Sequence, residues 1–479
     1  MVSKHSKHIC FNEGSKLLIS PNWQNRTMWT GDNLDIMRGM NADSVDLIYL
    51  DPPFNSNRTY SAPIGSEAAG AAFKDTWTLS DVDEAWHGEI AEAHPALYGV
   101  IDSAGQAHGK GMKSYLIMMA VRLLEMRRLL KATGSIYLHC DHTASHYLKM
   151  LTDAVFGRQQ FRNEITWRRT ESHNTADRYG NVVDILLYYS KSDKPTWNTQ
   201  HQPYGAAQMS RFRHVGADGR RYKLENLTAP RPDSDSGKFE WRGTTPGPTR
   251  GWGYRREQLE AWWAEGRIQV KRDGTPRMDG LKNYLDEAEG KPLQNIWTDI
   301  ARVSNTSSER IGYPTQKPLA LLDRIIKASS NEGDMVLDPF CGCATACVAA
   351  DRLNRHWVGI DLSPLAADLV DRRMRGEGAL LFPCVRRTDI PRRTDQEGVP
   401  HYRTQKHTLF GRQEGVCAGC RMAFPFRNFT IDHVVAQARG GTDHLDNLQL
   451  LCNACNSMKG TRTQEAFIAR LVREGIRTA

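Results

Sequence analysis

Four stretches of the chain are nearly continuous apolar runs: residues 45 to 50 (VDLIYL), Ser135 to His139 in GSIYLHC, Met335 to Leu337 in DMVLDPF, and Trp357 to Ile360 in HWVGID. Short runs without a polar face suit strands covered on both sides, as in a parallel sheet. Between them, apolar residues recur at helical spacing. Residues 112 to 131 put Leu116, Met119, Ala120, Leu123 and Leu124 on one face, and Leu319 to Ile326 after QKP repeats the pattern. Strands alternating with helices predict an α/β fold with a doubly wound, mostly parallel sheet.

The pattern breaks twice. Residues 168 to 300 are rich in Arg, Gly, Pro, Trp and Tyr, as in WRGTTPGPTRGWGYRREQLEAWWAEGRI, and read as an insertion between two halves of the sheet, 1 to 167 and 301 to 382. Some of its Trp residues must form a small core. Basic residues interleaved with aromatics also suit contact with phosphates and bases. Residues 383 to 411 are charged and lack apolar periodicity, which reads as a basic linker, and 412 to 479 form a compact module around clustered cysteines.

At 479 residues the chain accommodates two or three domains. Its formal net charge of +8 is compatible with a polyanionic partner without identifying one. Of the 10 Cys, Cys417, Cys420, Cys452 and Cys455 cluster near the end. No signal peptide or membrane-spanning run is evident, so a reducing cytoplasm and metal-bound thiolates are expected rather than disulfides or a membrane partner. Cys341, Cys343 and Cys347 lie in a strand-to-helix turn that has another explanation.

In DLIYLDPPF, Asp51-Pro52-Pro53-Phe54 cannot continue a strand, because two successive residues lack a backbone donor. The acid thus falls at the carboxyl end of a strand, where parallel α/β sheets bind ligands. In DMVLDPFCGCATACVAADRL a strand enters a turn of small residues and then a helix, which lets backbone N–H groups approach a ligand. One strand later HWVGID ends in Asp361, placed to accept from ribose hydroxyls.

Taken in order, these motifs over roughly residues 28 to 375 resemble the beta-class, permuted DNA amino-methyltransferases that depend on S-adenosylmethionine. The resemblance implies a Rossmann-like fold in which DPPF comes first, a target-recognition region follows and the FxGxG cofactor turn comes late. It places Asp32 of TGDNL near the cofactor's adenine, Thr315 and Lys317 of YPTQKP near its methionine end, Asp338, Phe340 and Gly342 in the turn, and Asp361 on the ribose. NEITWRR and VVDILLYYSKSD resemble a structural strand and the strand bordering the base pocket. One departure is Ala344, which replaces the last glycine of FxGxG; its methyl group either crowds the cofactor or shifts it.

The chemistry of DPPF follows from its target. An exocyclic amino group is a poor nucleophile because its lone pair is delocalised into the base. A carboxylate accepting one N–H and a carbonyl accepting the other favour a pyramidal nitrogen. Asp51 and the carbonyl of Pro52 are the candidates, Pro53 stiffens the loop, and Phe54 is placed to stack on a base extruded from double-stranded DNA. The resemblance implies N6 of adenine, with N4 of cytosine as the alternative, and a homodimer as a family-level expectation.

In the terminal module, two CxxC pairs present four thiolates suited to tetrahedral structural Zn²⁺. With Asp432-His433, Asn447 and Asn456 they resemble a zinc-stapled ββα HNH nuclease. That resemblance makes His433 the general base, Asp432 and Asn456 ligands of a catalytic Mg²⁺ or similar ion, and Asn447 the brace of the loop carrying His433.

The leading reading is a cytoplasmic, nucleoid-associated DNA methyltransferase fused to a nuclease, of the restriction-modification type. GxxxxGK[ST] is absent, which argues against an ATP-driven motor in this chain. The alternatives are a methyltransferase whose zinc module only clamps DNA, and a DNA binder without activity. A small-molecule or protein amino-methyltransferase fits DPPF but not the basic insertion and attached nuclease.

Overall fold

The computed structural model describes residues 20–53, 58–61, 72–75, 90–91, 93–171, 177–230, 237–304, 306–376, 384–395, 405–413 and 415–477. Phe54 lies outside them.

The central element is a nine-stranded sheet. In chain order its strands are β1 (Thr27–Thr30), β2 (Val45–Leu50), β3 (Leu130–Cys140), β4 (Phe161–Arg168), β5 (Val183–Ser190), β6 (Ile296–Trp297), β7 (Met335–Asp338), β8 (His356–Asp361) and β9 (Val385–Arg387). They lie side by side as β6-β4-β5-β3-β2-β7-β8-β1-β9, and only β5 runs antiparallel to its neighbours. All six residues of β2 are buried, as a strand covered on both faces requires. Asp46 within it is tolerated because its carboxylate accepts from Lys131 Nζ at 2.7 Å and from the backbone N–H of Met335 at 2.9 Å.

Helices cover both faces. One layer includes α1 (Asn33–Gly39), α2 (Pro95–His108), α3 (Lys110–Leu129) and α4 (Ser145–Phe156); its core joins Leu116, Met119 and Leu123 of α3 to Ile48 and Leu50 of β2. The other includes α5 (Leu319–Ser329), α6 (Thr345–Arg352) and α7 (Pro364–Gly376), where Leu321, Leu322, Ile325 and Ile326 pack with Val348 and Val370. The helix expected over 112 to 131 ends earlier, at Leu129, because the chain turns directly into β3.

Two departures concern domain limits. The expected insertion, 168 to 300, contributes β5 and β6 to the main sheet, and the second compact unit is Thr199–Gln294. Within that unit a four-stranded sheet and the helix Arg256–Ala264 enclose Trp241, Trp252, Leu259 and Leu281. Several of its basic and aromatic residues satisfy one another, with Arg220 over Tyr284 at 3.9 Å, Arg242 over Trp263 and Arg256 over Phe239, both at 4.5 Å.

Residues 384–395 of the expected linker are docked onto the sheet and its flank. β9 extends the sheet in parallel with β1, the Asn41 side chain bonds Thr394 at both its N–H and its hydroxyl, and Asp395 accepts from the N–H of Ala42 at 2.7 Å. A helix α8 (Lys406–Arg412) then leads into the terminal module, in which β10 (Phe429–His433) pairs antiparallel with β11 (Leu448–Cys452), followed by α9 (Asn453–Lys459) and α10 (Gln464–Arg473). No described helix is long and apolar enough to cross a membrane.

Candidate active site

The neighbouring parallel strands β2, β7, β8 and β1 all end at one edge of the sheet. Their register, with Leu337 beside Ile48, Asp338 beside Gly359 and Asp361 beside Thr30, sets four acids along that edge: Asp51 just after β2, Asp338 closing β7, Asp361 closing β8, and Asp32 after β1. Pro52 is buried behind Asp51 and Pro53 is half-buried. Beneath them a hydrogen-bonded chain ties three strands: the Tyr49 hydroxyl meets His139 Nδ1 at 2.9 Å, and His139 Nε2 meets Asp184 at 3.2 Å.

Each acid is held differently. Asp361 accepts from the N–H of Gly342 and of Ser363, both at 2.8 Å, yet burial raises its carboxyl above the ordinary range. Burial, with Asp51 and Asp361 nearby, pushes Asp338 up to about 8, although its carboxylate accepts from the N–H of Phe340 at 3.1 Å. Asp32 caps α1 by accepting from the N–H of Leu34, and the same oxygen meets Arg122 at 2.8 Å. These two bonds fall on Oδ1 of a side chain that is 44% exposed.

The turn after β7 is shaped for close approach. Gly342 has φ +50°, and a Cβ there would stand 3.1 Å from the ring of Tyr313. Ala344 has φ +60°, a left-handed conformation that glycine adopts more readily. Its methyl group belongs to the buried apolar layer with Leu322 and Val348, so it points to the core rather than crowding the open edge. Cys341 and Cys347 are buried in the same layer, with their sulfurs 3.7 Å apart.

The segment before α5 crosses the edge. Tyr313 is mostly buried; burial, then the charge of Asp361, raises its phenol, so it remains a donor. Thr315 has φ +64°, an outlier for a β-branched residue. Lys317 Nζ is ion-paired with Asp51 Oδ2, while Asp51 Oδ1 is buried and has no hydrogen-bond partner among the described residues.

In the terminal module the four Cys sulfurs lie within 4.8 Å of one another, with Cys420 and Cys452 at 4.0 Å. A tetrahedron with Zn–S bonds of about 2.3 Å has sulfurs about 3.8 Å apart, so this donor set fits zinc. His433 ends β10 with Nε2 at 2.8 Å from Asp443, which also accepts from Gln437. The Asn447 amide accepts from the N–H of Val435 and donates to the carbonyls of Val435 and Thr442, fastening the loop after His433. Gly441 is required there, since a Cβ would stand 1.7 Å from the Val435 oxygen.

Asp432 Oδ2 accepts from Lys459 Nζ at 2.7 Å and from Gln449 at 2.8 Å. Lys459 is wholly buried, and it lies three residues after Asn456 on α9, so both occupy one side of that helix.

A family profile described as DNA methylase matches residues 45–371. The chain belongs to that DNA methylase family. A second profile, described as HNH endonuclease, matches residues 417–472 of the methylase. The methylase is 32% identical over 351 residues to the Type II methyltransferase M.EcaI of Enterobacter cloacae, spanning 73% of this chain and 69% of the relative. It is 28% identical over 346 residues to the Mod subunit of the Type III restriction-modification enzyme StyLTI of Salmonella typhimurium, spanning 68% of this chain and 50% of the relative. The solved M1.HpyAVI–SAM complex aligns at 14% identity with a TM-score of 0.35, over 73% of this chain and 98% of that one. The protein is therefore a DNA methyltransferase of the N6/N4 type with an HNH domain, and DNA is its substrate.

Sequence reasoning passed over four residues that the methylase brings to these sites: Tyr313 over Gly342, Asp443 on His433, and Lys459 and Gln449 on Asp432. For Lys459 a signal existed in its helical spacing from Asn456.

Proposed function

We propose that the methylase transfers the methyl group of S-adenosylmethionine to the exocyclic amino group of a flipped base, N6 of adenine in the first instance, and that its HNH domain hydrolyses DNA phosphodiesters. The observation that carries the first part is the buried Oδ1 of Asp51, an acceptor without a described partner at the sheet's ligand-binding edge.

The donor set fits the cofactor. S-adenosylmethionine supplies a sulfonium methyl that reacts with an amine without metal or redox help. Carboxylates along the edge can accept from its amino and hydroxyl groups, with Asp32 assigned to the adenine, Asp361 to the ribose, and Asp338, Phe340 and Gly342 to the turn beneath. Thr315 and Lys317 are assigned to the methionine end. Asp51 accepts one amino N–H and the Pro52 carbonyl the other, directing the nitrogen lone pair at the methyl carbon. As the new N–C bond forms, the nitrogen becomes cationic, and its proton leaves through the Asp51 carboxylate to water. Phe54 is assigned to stack on the flipped base.

In the HNH domain His433 is the proposed base. With Asp443 accepting from Nε2–H, the basic lone pair is on Nδ1, the nitrogen that takes a proton from water. Asp432, through the oxygen not engaged by Lys459, and Asn456 would hold a divalent ion that stabilises charge on the phosphate. The Lys459 ammonium on Asp432 favours a second reading, in which the module only clamps DNA.

Incubating the full chain with unmethylated plasmid, tritiated methyl donor and Mg²⁺ or Mn²⁺, followed by nucleoside analysis and a gel, tests both parts. Label in N6-methyladenine and cleavage lost in His433→Ala are expected. Label in N4-methylcytosine would overturn the base assignment alone, and intact plasmid with every metal would leave the clamp.

A further inference from the structure

We propose that Lys317 is a positioning residue for Asp51: by holding Oδ2 it presents Oδ1 to the amino group of the target base. The inference rests on reading Asp51 as the amino acceptor, and it gives Lys317 a role beyond the cofactor's methionine end.

The geometry distinguishes the two oxygens. Lys317 Nζ sits on Oδ2, whereas Oδ1 is buried and unpartnered among the described residues. The lysine side chain is 10% exposed and the aspartate 18%, so the pair is largely withdrawn from water, where a charge-assisted bond fixes orientation best. A carboxylate without such a tether turns about its terminal torsion and offers either oxygen in many directions. With Oδ2 tied, Oδ1 has one direction, set before the base arrives.

The chain carrying Lys317 is itself fixed. The Gln316 amide donates to the Glu309 carbonyl at 2.6 Å and accepts from the N–H of Ile311 at 3.1 Å, and Glu309 accepts from the N–H of Leu319 at 3.1 Å. These bonds clasp the segment on both sides of Thr315, whose left-handed backbone persists only where the surroundings over-determine it. A lysine that merely met a flexible ligand would not need so constrained a support.

The test compares the full-length wild type with Lys317→Met and Lys317→Arg, measuring cofactor affinity by calorimetry and kcat at saturating cofactor and DNA. We expect Lys317→Met to weaken cofactor binding about tenfold and, at saturating cofactor and DNA, to lower kcat about a hundredfold as well, with Lys317→Arg recovering kcat to within about tenfold of wild type. A Lys317→Met enzyme with weakened cofactor binding but unchanged kcat at saturation would make Lys317 a cofactor ligand only and overturn the proposal. Wild-type protein that transfers no methyl group would instead defeat the functional reading, and thermal melts then decide the pair. Shifts of Asp51→Asn and Lys317→Met that fail to add in the double variant support the positioning contact, and strictly additive shifts overturn it.

Discussion

Asp35 of α1, in the methyltransferase core, is ion-paired at 3.1 Å with Arg412 of α8, the helix entering the HNH domain. One turn along α1, Arg38 donates to the Thr408 hydroxyl at 3.0 Å. The helix that carries Asp32 at its start thus also anchors the HNH domain. Burial raises the Asp35 carboxyl, and Arg412 is the largest influence opposing that rise. Arg412→Ala should cost about 1 kcal/mol and loosen the attachment. Limited proteolysis is expected to release the HNH domain faster from the variant, whereas an unchanged cleavage rate would show that α1 is not the anchor.

A second buried pair lies inside that domain. Lys459 has no exposed surface and Asp432 little, so removing the ammonium strands a carboxylate without its principal partner. Lys459→Met should destabilise the HNH domain by about 3 kcal/mol. Calorimetry of the full chain is expected to show one transition moving down while the methyltransferase core holds its melting temperature.

The four sulfurs predict metal-dependent folding. Cys455→Ser, or a strong chelator, should remove zinc measured by mass spectrometry and destabilise the HNH domain, because the four thiolates lie inside the same buried cluster as Phe429, Leu450 and Phe467. Methyl transfer should persist.

Asp338 gives the pH prediction. Its folded-state carboxyl lies at about 8, against an ordinary 3.8, so between those values the folded chain keeps a proton that the unfolded chain has lost. The group's stabilising contribution is complete below pH about 4 and falls as pH rises, by up to about 1.4 kcal/mol per unit, until it levels near 8. Denaturant melts at pH 5 and 8 should show this slope in wild type and a flatter one in Asp338→Asn. A cationic ligand prefers the ionised form, so cofactor affinity should rise over the same window.

Much of this arrangement was legible in the sequence for a physical reason. Strands covered on both faces are written as apolar runs, and the acids that follow or close them, Asp51, Asp338 and Asp361, mark one edge of the sheet. Pairings between distant side chains leave no such trace. Lys317 and Asp51 are 266 positions apart, and only the folded sheet brings them together. The docking of 384–395 was equally hidden, since it depends on polar contacts with Asn41 and Ala42 that have no periodicity. Ala344 is a subtler case: the sequence shows the lost glycine, but only the backbone shows that its methyl turns into the core.

The most direct test of the account is methyl transfer by Asp51→Ala, measured at saturating cofactor and DNA beside calorimetric cofactor binding. Near wild-type binding is expected with transfer reduced more than about a thousandfold, because the proposed acceptor for the target amino group is gone. An Asp51→Ala protein that methylates DNA at the wild-type rate would contradict it.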